Sequence, residues 1–167
     1  MRRRGSWLQF SNAGVTAVDE LAEQQTRLAM SKPVLCGAMR AAHNDCKRQL
    51  LGRAVQLTGL RLEECNVLDL ACGRGGDLNK LARCRAYVGV DNADGALAEL
   101  RRRADELCMR VAVYCADAAS LEPVQSNLAL CNFALHYFCD TEEHCAGLMD
   151  VVSQSLVSGG TFCGTYE

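Results

Sequence analysis

Three acids and one glycine-rich turn carry the chemistry that this chain can do. The turn lies in Val67-Leu68-Asp69-Leu70-Ala71-Cys72-Gly73-Arg74-Gly75-Gly76-Asp77-Leu78, an apolar run that breaks into three glycines. Ligands of open α/β sheets bind beyond the carboxyl ends of the strands. Glycines at that point let backbone approach a ligand closely. Asp77 is of a type that caps a following helix. Asp91 ends a second apolar run, Tyr87-Val88-Gly89-Val90. A carboxylate there accepts hydrogen bonds from both hydroxyls of a ribose. A plain helix cap is the competing reading of Asp91, and the glycine turn tips the balance toward ribose. Asp117, in Tyr114-Cys115-Ala116-Asp117-Ala118, stands where an acid can receive the exocyclic amine of an adenine. Taken alone it reads as a surface acid.

Two other phosphate-binding loops are excluded. The dinucleotide pattern G-x-G-x-x-G fails because Leu78 occupies its sixth position counted from Gly73. The P-loop requires Gly-Lys-Ser or Gly-Lys-Thr after four spacers, and neither is present.

The elements that must hold these residues follow from hydrophobic periodicity. Strands are expected at 66–71, 86–90, 110–115, 127–133 and 161–165, and helices at 36–58, 77–84, 95–108 and 141–157. Gly59 closes the first of these helices, and Ser158-Gly159-Gly160 is expected to close the last. A further amphipathic helix is expected over 16–30, interrupted by Pro33. Strand and helix alternate at crossover length, which predicts an α/β fold with a parallel sheet and helices on both faces. Residues 1–35 read as an irregular or helical extension and 36–167 as the domain, with its last strands expected beyond residue 167.

Composition narrows the function classes. A net charge of −2 argues against a protein that grips a long RNA backbone. It leaves room for a pocket that takes one nucleotide and a few phosphates. Eleven cysteines without a C-x-x-C pair, several of them inside apolar runs, suit buried thiols in a reducing compartment. No clustered ligand set predicts a metal. No apolar run reaches the roughly 18 residues of a membrane span.

Beyond these features, four segments resemble the mRNA cap guanine-N7 methyltransferases, which use S-adenosyl-L-methionine. The first is Gly73-Arg74-Gly75-Gly76-Asp77-Leu78. The second, Cys131-Asn132-Phe133-Ala134-Leu135-His136-Tyr137-Phe138, is similar to the family's C-Q-F-x-x-H-Y. The third, Met39 to Lys47, resembles its L-R-N-F-N-N-W-x-K helix, and the fourth, Gly159 to Thr165, its G-G-x-F-x-G-T strand. The resemblance implies a Rossmann-like class I methyltransferase fold and a substrate that is the 5′-capped end of mRNA. It also implies other capping enzymes as partners, and a nuclear setting, or a cytoplasmic one if virus-like.

The resemblance further implies roles residue by residue. Lys47 meets the methionine carboxylate of the cofactor. Gly73 and Ala71 form the turn beneath its methionine end, with Asp69 behind. Asp91 holds the ribose and Asp117 the adenine, while Asn132 and Tyr137 line the pocket. Asn44, Arg74, Lys80, Arg103 and His136 face the cap. Ala71 replaces a family glycine, Asn132 a glutamine, Arg74 a lysine and Ala104 a tyrosine. His43 and Asp45 also depart from the family around Asn44. A glutamate and a tyrosine that close the family's cap pocket fall beyond residue 167.

The chemistry fits. Guanine N7 carries a lone pair and no proton, so no general base is needed and no catalytic acid or base is assigned. The protein supplies alignment, which is worth roughly 7 to 11 kcal/mol in favourable systems. The plainer readings are a solvated Arg74 and Lys80, a structural His136, a surface His144, and a solvated face at Arg101-Arg102-Arg103. Two other functions share the same loop: methyl transfer to a different acceptor, and a non-catalytic module that only holds cofactor or a capping partner.

Overall fold

The computed structural model describes residues 37–166, so the expected helix over 16–30 and the extension before residue 36 lie outside the described residues. Five strands, β1 (Asn66–Leu70), β2 (Ala86–Asp91), β3 (Val111–Cys115), β4 (Ser126–Asn132) and β5 (Leu156–Thr165), form one parallel sheet. Their order is β3-β2-β1-β4-β5. The helices are α1 (Gly37–Thr58), α2 (Leu78–Leu81), α3 (Asp94–Glu106) and α4 (Glu142–Ser155). Single 3-10 turns occupy Leu62–Glu64, Ala118–Ser120 and Leu135–Phe138.

The strands alternate side chains between two cores, as the pleat requires. Val67, Tyr87, Leu128 and Leu130 face a layer built from Leu97, Leu100 and Ala104 of α3, Leu78 and Leu81 of α2, and Ala54 of α1. Leu68, Leu70, Val90, Ala129 and Cys131 face the opposite layer, with Leu148 and Val152 of α4, Phe138 and Ala118. The helices therefore cover both faces of a parallel sheet, as the alternation predicts, and the architecture is the Rossmann-like one that the resemblance implies.

The sheet order reverses at β1: the chain runs outward through β2 and β3, then returns to place β4 on the other side of β1. A crevice opens at such a switch point, beyond the carboxyl ends of β1 and β4. Backbone strain collects there. Ala71, just past β1, has φ +55°, and Phe133, just past β4, has φ +55°. L-residues with side chains enter this left-handed region at a cost of order 1 kcal/mol or more. Ala71 thus shows why glycine is the natural occupant of its position.

Two expectations are corrected. The helix expected over 77–84 is a single turn, Leu78–Leu81. The helix expected to end at Ser158-Gly159-Gly160 ends at Ser155, and β5 begins at once with Leu156. Leu156 packs against the second core, a tertiary gain that outweighs helix propensity. The two glycines sit inside β5, in a bulge. Ser126 pairs with Leu156 and Leu128 with Thr161, and the extra β5 residues loop out where Gly159 takes φ +80°.

Candidate active site

The glycine turn and the acid of β2 are in direct contact. The Gly73 amide donates to Asp91 Oδ2 at 2.7 Å, and the Ala93 amide donates to Asp91 Oδ1 at 3.0 Å. Gly73 has φ +52°, which turns its amide toward the carboxylate at little cost for glycine. Burial pushes the Asp91 carboxyl up, while the Ala93 and Gly73 amides pull it down. A carboxylate has about four acceptor positions. Two are used by the backbone, so acceptor capacity remains for two hydroxyls.

Behind the turn stands Asp69. It is 3% exposed and accepts the Tyr87 hydroxyl at 2.8 Å, which fixes the base of the turn from behind. Burial and the nearby Asp77 carboxylate push it up to about 7, against the Tyr87 hydrogen bond and the charge of Lys47. An unfolded aspartate titrates near about 4. Its folded pKa is thus raised, and the stability it contributes is complete below about pH 4 and lost as pH rises through about 7. Between pH 6 and 8 the loss is on the order of 1 kcal/mol. Asp69→Asn keeps an acceptor for Tyr87 and cannot ionise. Its stability by chemical denaturation is expected to be flatter than wild type over that interval by this amount, and parallel profiles would overturn the assignment.

Asp77 is the residue that the sequence reading undervalued. It occupies the N-cap position of α2 but makes no capping hydrogen bond from its side chain. Its carboxylate instead takes Lys47 Nζ at 2.9 Å, Lys80 Nζ at 2.8 Å and Asn132 Nδ2 at 3.1 Å. Lys80 also donates to Asn44 Oδ1 at 2.9 Å. Burial opposes ionisation of Asp77, but the Lys80 and Lys47 contacts outweigh it and hold the carboxyl below the usual range. Three residues expected to touch cofactor or cap are therefore gathered by one carboxylate, with Asn44 joined through Lys80. Two ammonium groups share one carboxylate, so the cluster keeps one positive charge. Each lysine has donors to spare, which suits an incoming carboxylate or phosphate. The only sequence signal was the acid directly after the third glycine, which is also an ordinary capping pattern.

Phe133 was likewise not assigned a role. Its ring lies 5.0 Å below Lys47 Nζ and 4.6 Å from the His43 ring. Its amide donates to Thr165 Oγ1 of β5 at 2.8 Å, which holds the strained conformation. The Lys47 head is thus fixed on two sides, by a carboxylate and by an aromatic face.

The cap-side candidates divide. Asn44 and Lys80 line a cleft of about 500 Å³ between α1 and α2, with Arg48, Gly76 and Asn79. Arg103 lines a second cleft of about 230 Å³ that shares Gly76 and Asn79 with the first. Its guanidinium is paired with Glu99 at 2.8 Å, as is Arg102. Arg74 is half-buried and has no ion-pair partner among the described residues. His136 is exposed, with its ring 4.0 Å from that of Tyr137. Asp117, Tyr137 and Asp91 lie outside both clefts, on the open rim of the sheet. Asp117 caps the turn at Ala118–Ser120, accepting from the Ala119 amide at 3.0 Å. It also meets His144 Nε2 at 3.3 Å. Asp117 thus keeps one carboxylate oxygen uncommitted.

This donor set fits S-adenosyl-L-methionine. A carboxylate anchored on backbone amides suits the vicinal hydroxyls, and an ammonium held in place suits the amino-acid end. Beneath both runs a turn with left-handed φ at Ala71 and Gly73. No metal-binding group of three or more ligands occurs among the described residues.

Known proteins resemble this chain in sequence and in fold. The model of the mRNA (guanine-N(7))-methyltransferase domain matches residues 15–167. The mRNA cap guanine-N(7) methyltransferase 1 of Oryza sativa subsp. japonica is 34% identical over 117 residues, covering 59% of this chain and 32% of its own length. The mRNA cap guanine-N(7) methyltransferase of Candida albicans is 30% identical over 158 residues, covering 76% of this chain and 33% of its own. The chain thus spans about a third of the length of these relatives. Among solved structures, an S-adenosylmethionine-dependent methyltransferase from Clostridium acetobutylicum superposes with a TM-score of 0.62 at 18% identity, covering 89% of this chain and 57% of its own. One from Geobacter sulfurreducens, in complex with S-adenosyl-L-homocysteine, gives 0.56 at 26% identity, covering 71% and 46%. The match over nearly the whole chain, on a sheet whose switch point carries the glycine turn and its acid, makes this chain a member of the mRNA (guanine-N(7))-methyltransferase domain family.

Proposed function

We propose that this chain holds S-adenosyl-L-methionine at the switch point and directs its methyl group to N7 of the guanine cap of mRNA. The observation that carries the reading is the 2.7 Å bond from the Gly73 amide to Asp91, which makes the turn and the ribose-type acid one wall. Family membership supports the acceptor, and curated relatives named as cap methyltransferases support it further. The bound cofactor supplies an electrophilic methyl group on sulfur.

What the chain's own residues do is bind and orient. Asp91 takes the ribose hydroxyls and Asp117 the exocyclic amine. Lys47, held between Asp77 and the Phe133 ring, takes the terminal carboxylate. Tyr137 and Asn132 border the same face. On the acceptor side, Arg74 has no carboxylate partner among the described residues, whereas Lys80 and Arg103 are each paired with one, so it is the strongest of these candidates for the cap's triphosphate. Lys80 and Asn44, already bonded to each other, form a rigid edge of the larger cleft, and Arg103 borders the next. His136 offers a ring beside Tyr137 for the base. No residue moves a proton, since N7 has none to lose. A nuclear location goes with this reading, because its substrate is newly made transcript.

The test uses donor carrying a labelled methyl group, with RNA that ends in an unmethylated guanine cap and the same RNA uncapped. Label is expected only in the capped RNA. Arg74→Ala is expected to raise KM for capped RNA about tenfold, the effect of one lost charged hydrogen bond, and to leave affinity for S-adenosyl-L-homocysteine unchanged. Equal labelling of both RNAs would remove the cap as acceptor.

A further inference from the structure

His144 opens the first turn of α4, yet its ring faces neither solvent alone nor core. Nδ1 lies 2.8 Å from Asp140 Oδ1, and Nε2 lies 3.3 Å from Asp117 Oδ1. Its backbone is pinned as well, since its amide donates to the Thr141 hydroxyl at 3.1 Å. The Phe138 ring stands 5.1 Å away and closes one side. The imidazole is 29% exposed, so it exchanges protons with solvent while keeping a fixed position.

The charged groups that face the ring are Asp140, from the loop before α4, and Asp117, from the loop after β3. On its own helix, Glu142 and Glu143 occupy the same first turn. The nearby Cys139 thiol donates to the Leu135 carbonyl at 3.4 Å. The turn at Leu135–Phe138 carries one further titratable ring, His136, which stacks on Tyr137, and the turn at Ala118–Ser120 carries none.

We infer that His144 is a positioning residue for the nucleoside site: in its doubly protonated form it clamps Asp117 and so sets the affinity for the cofactor's adenine. The inference rests on the cofactor reading given above. The chemistry is a matter of proton count. A neutral imidazole has one N–H and one lone pair. The shorter contact, to Asp140, keeps the proton on Nδ1. Nε2 then presents its lone pair to the lone pairs of Asp117 Oδ1, and the clamp is repulsive. The imidazolium has two N–H groups and donates to both carboxylates. Asp117 is then held at Oδ1 by His144 and by the Ala119 amide, with Oδ2 oriented for a donor from the ligand. Two carboxylates favour the imidazolium, with the Asp140 contact foremost, and raise its pKa above the ordinary value.

The sign follows. Clamping is complete when His144 is protonated and is lost as pH rises through its folded pKa, above 6.5. Calorimetric titration with S-adenosyl-L-homocysteine across pH 5.5 to 8.5 reads this directly. Wild-type affinity is expected to fall about three- to tenfold as the pH rises, the range of one ordinary hydrogen bond, because the clamp acts on the ligand only through Asp117. His144→Ala and His144→Gln are expected to sit near the weak limit throughout. Subtracting the His144→Ala curve removes the titration of Asp69, which falls in the same window. Asp140→Asn removes one carboxylate, and the midpoint is expected to move to lower pH with the ligand contacts intact. A merely structural His144 would not move that midpoint.

If the wild-type and His144→Ala curves superimpose, or if Asp140→Asn leaves the midpoint in place, this inference is wrong and the cofactor reading stands. If wild type takes up no S-adenosyl-L-homocysteine at any pH, both are wrong. An imidazole NMR titration of His144 still reports in that case whether the ring is held by its two acids.

Discussion

Asp91→Ala is expected to lower affinity for S-adenosyl-L-homocysteine by about a hundredfold to ten-thousandfold. The estimate rests on two hydroxyl bonds to a charged acceptor, at about 1.5 to 3 kcal/mol each. The effect goes further than lost ligand contacts. Asp91 also accepts the amides of Gly73 and Ala93, so its removal frees the turn on which the cofactor would rest. Asp91→Asn separates the two contributions. Its amide oxygen keeps one acceptor for the backbone, so it is expected to fall between wild type and alanine. Calorimetry gives the affinities, and circular dichroism melts show whether the variants remain folded. An alanine variant that is folded and within about threefold of wild type would remove Asp91 from the site.

The second large effect is at Asp77. Its carboxylate is the shared partner of Lys47 and Lys80, whose side chains are 16% and 9% exposed. Asp77→Ala leaves two ammonium groups close together, largely out of water and without a counter-charge. Removing one partner of a buried pair costs about 3 to 5 kcal/mol, mostly as the desolvation of the charge left behind. For a domain of this size that is a fall of about 10 to 15 °C in Tm. Asp77→Asn, which preserves hydrogen bonding but not charge, is expected to lose about half as much. The pH dependence has the opposite sign to that of Asp69. The folded pKa of Asp77 is depressed, so its stabilisation is present above the unfolded value and lost as pH falls through the folded one. The wild-type excess over Asp77→Ala should therefore shrink in acid, below about pH 4. A Tm drop under about 2 °C would show that the lysines find other partners.

These two residues also mark how legible the site was. The place of Asp91 beside the glycine turn could be read from sequence because it depends on order alone. An acid at the end of the second strand stands beside a glycine turn at the end of the first whenever the two strands pair in parallel, and the register Leu70 to Val90 achieves this. The strands themselves were visible for the same reason, since a buried parallel strand is a short apolar run whatever surrounds it. The elements missed or misjudged were those decided by packing. The helix after the glycine turn is a single turn, and both of its leucines, Leu78 and Leu81, are buried. β5 starts before its glycines because Leu156 finds the second core.

What the linear order of residues determined was the class of fold, the position of the crevice, and the acid that borders it. These depend on periodicity and on neighbours along or between adjacent strands. What only the tertiary structure decided was which charges meet. Lys47 and Asp77 are 30 residues apart, Asn132 and Asp77 55 apart, and His144 and Asp117 27 apart. Electrostatic pairing depends on distance in space and on exclusion of water, and neither is encoded in spacing along the chain. The same carboxylate that looked like a helix cap is therefore the hub of the cationic cluster. The histidine that looked like a surface residue lies between two acids.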